Sequence, residues 1–314
     1  MEMKDAGGGR WTAADVPDQH GRTAIITGGT GGLGLETARV LASHGATVVL
    51  AGRDAAKLET ASNRLSSALP DASVQTVQVD LASLESIRKA ALELTGRFPN
   101  LDLLVNNAGL MMPPYGLTKD GYELQFGTNH LGHFALTGLL LKQLLATPGS
   151  RVVTVSSNGH RAGQINFADL NSARRYRRMT AYGQSKLANL MFTYELQRRL
   201  ATAMAQTMAL AAHPGNARTD LTRHLSAPIN AAIGPRFASL TSRFVQDAPM
   251  GALPTLRAAT DPAAVGGTYY GPDGFGQFTG YPVVVTSTTR SHNRQTQRRL
   301  WVESEQLTGI TYPV

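Results

Sequence analysis

Five short apolar runs rich in β-branched residues, at 23–27, 47–50, 74–79, 101–105 and 151–155, alternate with longer stretches at 33–44, 55–69, 84–94 and 117–145 where apolar residues recur at helical spacing. A strand that is apolar along its whole length is buried on both faces, and a parallel sheet between two helical layers is the arrangement that buries it. The alternation therefore predicts an α/β fold with a doubly wound parallel sheet. A further helix at 181–201 precedes a sixth strand at 206–212. Beyond Pro214-Gly215 the pattern weakens, with prolines at 228, 235, 249, 254 and 262. The span 215–262 is expected to form a substrate lid, with Ile229, Ile233, Phe237, Leu240 and Phe244 as candidates for an apolar lining. The tail at 289–307 is again helical in period, a surface helix packed by Leu300, Trp301 and Leu307. One domain over 1–314, with a flexible leader at 1–10, accounts for the chain.

Composition narrows the chemistry. The absence of cysteine excludes disulfides, thiolate metal sites and cysteine nucleophiles together, and no metal is expected. Hydrophobic residues make up 42% of the 314 positions, enough for a sizeable core, yet no apolar run approaches membrane-spanning length. The opening MEMKDAGGG has neither an apolar signal core nor a cleavage pattern. A soluble, cytoplasmic protein is expected. The net charge of +8 raises nucleic acid as a partner, but the excess lies in Arg174-Arg175-Tyr176-Arg177-Arg178, in Arg198-Arg199 and at 290–299, not in one stripe with a nucleic-acid motif. Solvated faces explain it, and a small-molecule partner is expected instead.

The segment Thr27-Gly28-Gly29-Thr30-Gly31-Gly32-Leu33-Gly34 closes the first strand and opens the first helix. Gly29, Gly31 and Gly34 satisfy G-x-G-x-x-G in one register; Gly28, Gly32 and Gly34 satisfy T-G-x-x-x-G-x-G in the other. Either lets backbone N–H groups at a helix N-terminus meet the pyrophosphate of a dinucleotide. The second strand ends Leu50-Ala51-Gly52-Arg53-Asp54, about 20 residues on, where cofactor choice is set. Asp54 is placed to bind the ribose hydroxyls of NAD, but it also starts a helical run, where an N-cap is the commoner role. Arg53 offers a guanidinium fork to a 2′-phosphate, with Gly52 leaving room, so NADP(H) is preferred over NAD(H). Asp80, followed by Leu81, stands either at the adenine edge or as the cap of the helix at 84–94.

Tyr182 and Lys186 lie four residues apart in a helical stretch. Phenol and ammonium then share one face, and the cation favours a phenolate at a pH where free tyrosine keeps its proton. Such a pair suits proton transfer to a carbonyl oxygen.

In order, the 27–34 turn, Asn106-Asn107-Ala108-Gly109, Asn129, Ser157, Tyr182-x-x-x-Lys186 and His213-Pro214-Gly215 resemble the short-chain dehydrogenase/reductase family. The stretch Thr128-Asn129-His130-Leu131-Gly132-His133-Phe134, with those at 181–190 and 300–309, is similar to the branch holding retinol dehydrogenases, the WW-domain oxidoreductase and bacterial relatives. The resemblance runs from about Trp11 to the C-terminus. It implies a Rossmann-like sheet of about seven strands in the order 3-2-1-4-5-6-7. It also implies hydride transfer between a nicotinamide and the carbonyl or alcohol of a fairly apolar substrate. In that scheme Tyr182 carries the proton, Lys186 lowers the tyrosine pKa and holds the nicotinamide ribose, and Ser157, in preference to Ser156, binds the substrate oxygen. Asn129 anchors a water in the proton relay. The cofactor site implied comprises Thr27, Gly28, Thr30, Gly31, Gly32, Leu33, Gly34, Arg53, Asp80, Leu81, Asn107, Ala108, Gly109, Tyr182, Lys186, Pro214, Gly215 and Thr219. Family members pair through the helices here at 117–145 and 181–201, so a homodimer or tetramer is expected.

Two features depart from the family pattern. Gly31 stands where the branch usually has serine, and Ser157 and Tyr182 are 25 residues apart, with an inserted loop holding Arg161, Phe167 and the Arg174–Arg178 cluster. That loop either rims the active-site mouth or is a solvated insertion. The alternative from a different functional class is a nucleotide-sensing regulator that keeps the fold without catalysis.

Overall fold

The computed structural model describes residues 10–217 and 245–314. Thr219 and the expected lid residues Ile229, Ile233, Phe237, Leu240 and Phe244 lie outside them. Eight strands form one sheet: β1 (Thr23–Thr27), β2 (Thr47–Gly52), β3 (Val74–Gln78), β4 (Leu103–Asn106), β5 (Arg151–Val155), β6 (Met208–Ala212), β7 (Tyr269–Pro272) and β8 (Pro282–Val284). Their order is 3-2-1-4-5-6-7-8. The pairings are parallel through β7, and β8 is antiparallel. The expected topology is thus present, extended by one hairpin strand.

Among the described residues the helices are α1 (Gly32–Ser43), α2 (Ala55–Ala68), α3 (Leu84–Arg97), the single turn α4 (Leu124–Phe126), α5 (Gly132–Ala146), α6 (Arg178–Thr202), α7 (Ala248–Thr260) and α8 (Arg294–Thr308). Successive strand residues face opposite sides of the sheet. Ile25, Leu104 and Val152 bury against α3, α5 and α6, whereas Ala24, Ile26, Leu103, Val105 and Val153 bury against α1, α2 and α7. The parallel strands all end at one edge of the sheet, where the loops carrying the candidate chemistry gather.

Two expectations are corrected. The helix expected over 117–145 starts only at Leu124: Gly121 takes a left-handed φ of 83°, Leu117 bridges Glu123, and Asp120 reaches away to accept from the Leu84 N–H at the start of α3. The span expected as a lid ends in α7, a core helix. Asp247 caps it, Pro249 sits in its first turn where a missing N–H costs nothing, and Leu253 and Leu256 are buried. A methyl on Gly251 would lie 2.7 Å from Leu33 Cδ2, so α7 is pressed onto α1. The C-terminal helix α8 packs through Leu300 and Trp301, both buried, with Trp301 edge-on to Phe134 and stacked on Phe192.

Candidate active site

The turn after β1 decides between the two glycine registers. Gly28 and Gly32 have left-handed φ values of 66° and 51°, which L side chains rarely adopt, and a methyl on Gly34 would strike the Gly28 carbonyl. Gly31 is extended at φ −173°, open to any residue. The backbone thus demands the Gly28, Gly32, Gly34 spacing. No side chain caps the N-terminus of α1, whose N-cap is Gly31, so its N–H groups remain free for an anion. Asn107 ties this turn to the end of β4: its side-chain amide donates to Thr27 O at 2.8 Å, while the Asn107 and Ala108 N–H groups donate to Thr27 Oγ1 at 2.9 and 3.0 Å. Leu33 is buried, its side chain toward Gly251 of α7.

At the end of β2, Asp54 is the N-cap of α2, accepting from the Lys57 N–H at 3.1 Å. Its carboxylate is committed to the helix. Arg53 is exposed, its carbonyl held by Gln78, and Gly52 lies beside Thr30, whose Cγ2 would be 3.3 Å from an added methyl. Asp80 does not cap α3. Ser83 does, accepting from the Ser86 N–H, while Asp80 accepts from the Ala82 N–H at 3.0 Å and so bends the loop that presents Leu81. On the far side of the sheet edge, Pro214 O accepts from Gln246, and Gly215 is left-handed with its Cα against the Phe278 carbonyl.

Tyr182 and Lys186 are both buried on α6. The Ser157 hydroxyl, near the phenol, favours its ionisation, but burial outweighs it and holds the phenol above its ordinary pKa. Lys186 stands beside the phenol. Its Nζ lies 5.9 Å from the ring centroid, donates to Val155 O at 3.1 Å, and is pushed down to about 8 by burial. Burial sets the direction of both shifts, the phenol up and the ammonium down. Ser156 is buried, with its hydroxyl spent on Lys186 O, whereas Ser157 is partly open. Gly159 lies flat on the Tyr182 ring, where a methyl would sit 2.8 Å from Cε1.

Asn129 occupies a widened helical turn, Gly127–Leu131, between α4 and α5. Its side chain accepts from the Leu110 N–H at 2.7 Å and donates to Leu110 O and to Ser185 Oγ. It therefore clamps the loop after Gly109 to α6. Gly109 closes the gap, since a methyl there would be 3.4 Å from Lys186 Nζ. Asn129, Ser157, Tyr182 and Lys186 thus surround one small volume at the sheet edge.

Sequence reasoning missed three members of this neighbourhood. Gln125, fully buried, accepts from the Met112 N–H and donates to Tyr176 Oη and Arg178 O. Tyr176 in turn donates to Pro113 O and packs edge-on to Tyr115. Through Tyr176 the inserted loop is docked beside the mouth, while Arg174, Arg175, Arg177 and Arg178 stay exposed. His133, one turn past Asn129, is the third. Its spacing from Asn129 was the available signal.

Against this geometry the chain matches the short chain dehydrogenase family over residues 22–230. It is 40% identical to human retinol dehydrogenase 13, across 99% of this chain and 91% of that protein. A solved protein of Mycobacterium paratuberculosis superposes with a TM-score of 0.80 at 42% identity, over 98% of this chain and all of that one. Pseudomonas aeruginosa RhlG, solved as an NADP active-site complex, gives 0.63 at 25% identity over 80% of this chain and 94% of that one. The chain belongs to the short-chain dehydrogenase/reductase family. It is an oxidoreductase of that family, acting on CH–OH groups with a nicotinamide dinucleotide. Among the described residues no cluster of His, Asp or Glu is arranged to hold a metal, and no helix is long and apolar enough to cross a membrane.

Proposed function

We propose that this protein is an NADP(H)-dependent carbonyl reductase or alcohol dehydrogenase for a fairly apolar substrate. The observation that carries the reading is the meeting of the Tyr182 phenol, the Ser157 hydroxyl and the Lys186 ammonium at the buried edge of the sheet, beside an uncapped helix N-terminus. The cradle fits a dinucleotide: left-handed Gly28 and Gly32 open the backbone, and Gly34 lets it close tightly, since a side chain there would collide with the Gly28 carbonyl. The 27–34 turn would hold the pyrophosphate, Arg53 the 2′-phosphate, Asp80 and Leu81 the adenine side, and Asn107-Ala108-Gly109 with Pro214-Gly215 the nicotinamide half. Thr219 belongs to the same set by its place in the sequence. Bound there, the nicotinamide supplies or takes up hydride.

Tyr182, kept protonated by burial, gives its proton to the carbonyl oxygen in reduction and recovers it in oxidation. Ser157 holds that oxygen and steadies the developing charge. Lys186 has donor capacity beyond its bond to Val155 O and holds ribose hydroxyls with it. Asn129 fixes Leu110 and Ser185, and so the wall between loop and helix. An apolar substrate is supported by the exposed Tyr115 and Met179 and by Tyr176 packed on Tyr115, and by the name of the retinol dehydrogenase relative.

Two substitutions test the reading, scored by NADPH and NADH absorbance against apolar aldehydes and ketones. Tyr182→Phe should lower kcat by about 10³-fold with NADPH binding nearly unchanged; near-normal turnover in that variant refutes the catalytic assignment. Arg53→Ala should raise KM for NADPH by about tenfold and leave NADH untouched, because only the former carries the phosphate.

A further inference from the structure

We propose that His133 is a positioning residue that locks the cofactor turn to the Asn129 bend through its two ring nitrogens. The inference rests on the dinucleotide reading of the site. His133 is buried at the first turn of α5. Its Nδ1 lies 2.9 Å from Asn129 O, and its Nε2 lies 2.9 Å from Thr27 Oγ1. A carbonyl oxygen only accepts, so Nδ1 carries a proton. Burial, reinforced by the nearby Lys186 charge, keeps the ring neutral, with its pKa held down to about 4. A neutral ring protonated at Nδ1 has a bare Nε2, and the Thr27 hydroxyl must donate to it.

That choice fixes the rest of the network. With its proton committed to His133, Thr27 Oγ1 offers its lone pairs to the Asn107 and Ala108 N–H groups. The 3.3 Å contact from Thr27 Oγ1 to Val105 O is the longer and weaker choice for the same proton. The direction of every bond is then set: Asn107 and Ala108 donate to Thr27, Thr27 donates to His133, and His133 donates to Asn129 O. Thr27 begins the glycine turn at the end of β1, and Asn129 holds the loop after Gly109 and the helix bearing Tyr182 and Lys186. One imidazole thus joins the nucleotide cradle to the proton-transfer wall. No other neutral side chain supplies a donor and an acceptor on opposite sides of a rigid ring.

The experiment separates the two bonds. His133→Asn keeps a donor near the Nδ1 position and removes the acceptor for Thr27; His133→Gln places an amide oxygen near the Nε2 position and removes the donor to Asn129. Wild-type binding of NADPH and NADH is measured first by calorimetry. The Kd for NADPH should rise about tenfold in His133→Asn and at least as much in Thr27→Val, which also strips the acceptor from the Asn107 and Ala108 N–H groups, and the double variant should be no worse than Thr27→Val, because the bond that His133→Asn removes is already lost there. His133→Gln should keep Kd within about twofold while kcat falls, a split that general loosening of the core does not produce. In the nucleotide-free protein, ring ¹⁵N signals should show the Nδ1–H tautomer. An Nε2–H tautomer, or wild-type Kd in both His133→Asn and Thr27→Val, overturns the inference. A wild-type chain that binds neither nucleotide fails the dinucleotide reading itself, and the inference with it. Should His133→Asn not fold, as a thermal melt would reveal, Thr27→Val, His133→Gln and the tautomer decide.

Discussion

Lys186 shows how residue chemistry and stability pull apart at this site. Its ammonium is buried and its pKa falls from 10.5 to about 8, so between those values the unfolded chain binds a proton the native protein does not. Stability therefore rises with pH across that window, and below it the buried charge costs on the order of 3 kcal/mol. Val155 O, which Lys186 meets, also accepts from Asn189 Nδ2 at 3.2 Å, so it would keep a partner without the lysine. Lys186→Met should accordingly stabilise the nucleotide-free protein by about 1–2 kcal/mol at pH 7 while abolishing turnover, as expected where function is held against stability. Urea melts at pH 7 and 10 measure it; a destabilised variant would mean that the ammonium is better solvated than its burial indicates. Ser157, Tyr182 and Lys186 were legible from the order of their motifs. The sign of the tyrosine shift was not, because helical spacing gives the distance between two groups and says nothing of how dry their surroundings are.

At the level of elements, the site depends on how closely α6 approaches the turn after β5. A methyl on Gly163 would collide with Gly183 O, and one on Gly183 would stand 3.0 Å from Gly159 O and Gly163 N. Backbone meets backbone there, which draws Tyr182 against Gly159 and within reach of Ser157. Gly183→Ala should push α6 outward by a few tenths of an ångström, costing about 1–3 kcal/mol of stability and about tenfold in kcat, since proton transfer is sensitive to small displacements. Thermal denaturation and steady-state kinetics read both; unchanged kcat would show that the helix yields without moving the phenol. The helical period announced α6 but not this crossing, which depends on two glycines 20 residues apart in the chain. Likewise α7 was hidden by Pro249 and Pro254, read as breakers although the first falls where a helix tolerates proline. The reverse error at 117–123 came from apolar spacing that continued past a left-handed Gly121.

For the whole molecule, the aromatic cluster of Phe134, Phe192, Trp301 and Tyr312 lays α8 across α5 and α6, the two helices through which pairing was expected. Three buried histidines should set the acid limit of the fold: His130 and His133 in this layer, and His213 just past the end of β6. Burial holds His130 down to about 3, His133 to about 4 and His213 to about 3. All three stay neutral in the native state while the unfolded chain takes up protons below about pH 6.5. Their contribution is complete above that pH and is lost as pH falls. Each removes up to about 1.4 kcal/mol per pH unit, and the three together about 4. Glu123, whose carboxyl is pushed up by burial, acts in the opposite sense but is a single group. Against a total stability of about 5–15 kcal/mol, such a slope unfolds the protein by about pH 4. Urea midpoints taken at half-unit steps from pH 7.5 should be flat to about 6.5 and then fall steeply. His130 supplies the control. Its Nδ1 has no partner, its Nε2 meets Ser304 Oγ, and Ser304 also donates to Leu300 O, so a phenylalanine among Phe126, Phe134 and Phe192 would strand little. His130→Phe should flatten the acid limb by about 1.4 kcal/mol per pH unit, and an unaltered slope would place the acid sensitivity in other groups.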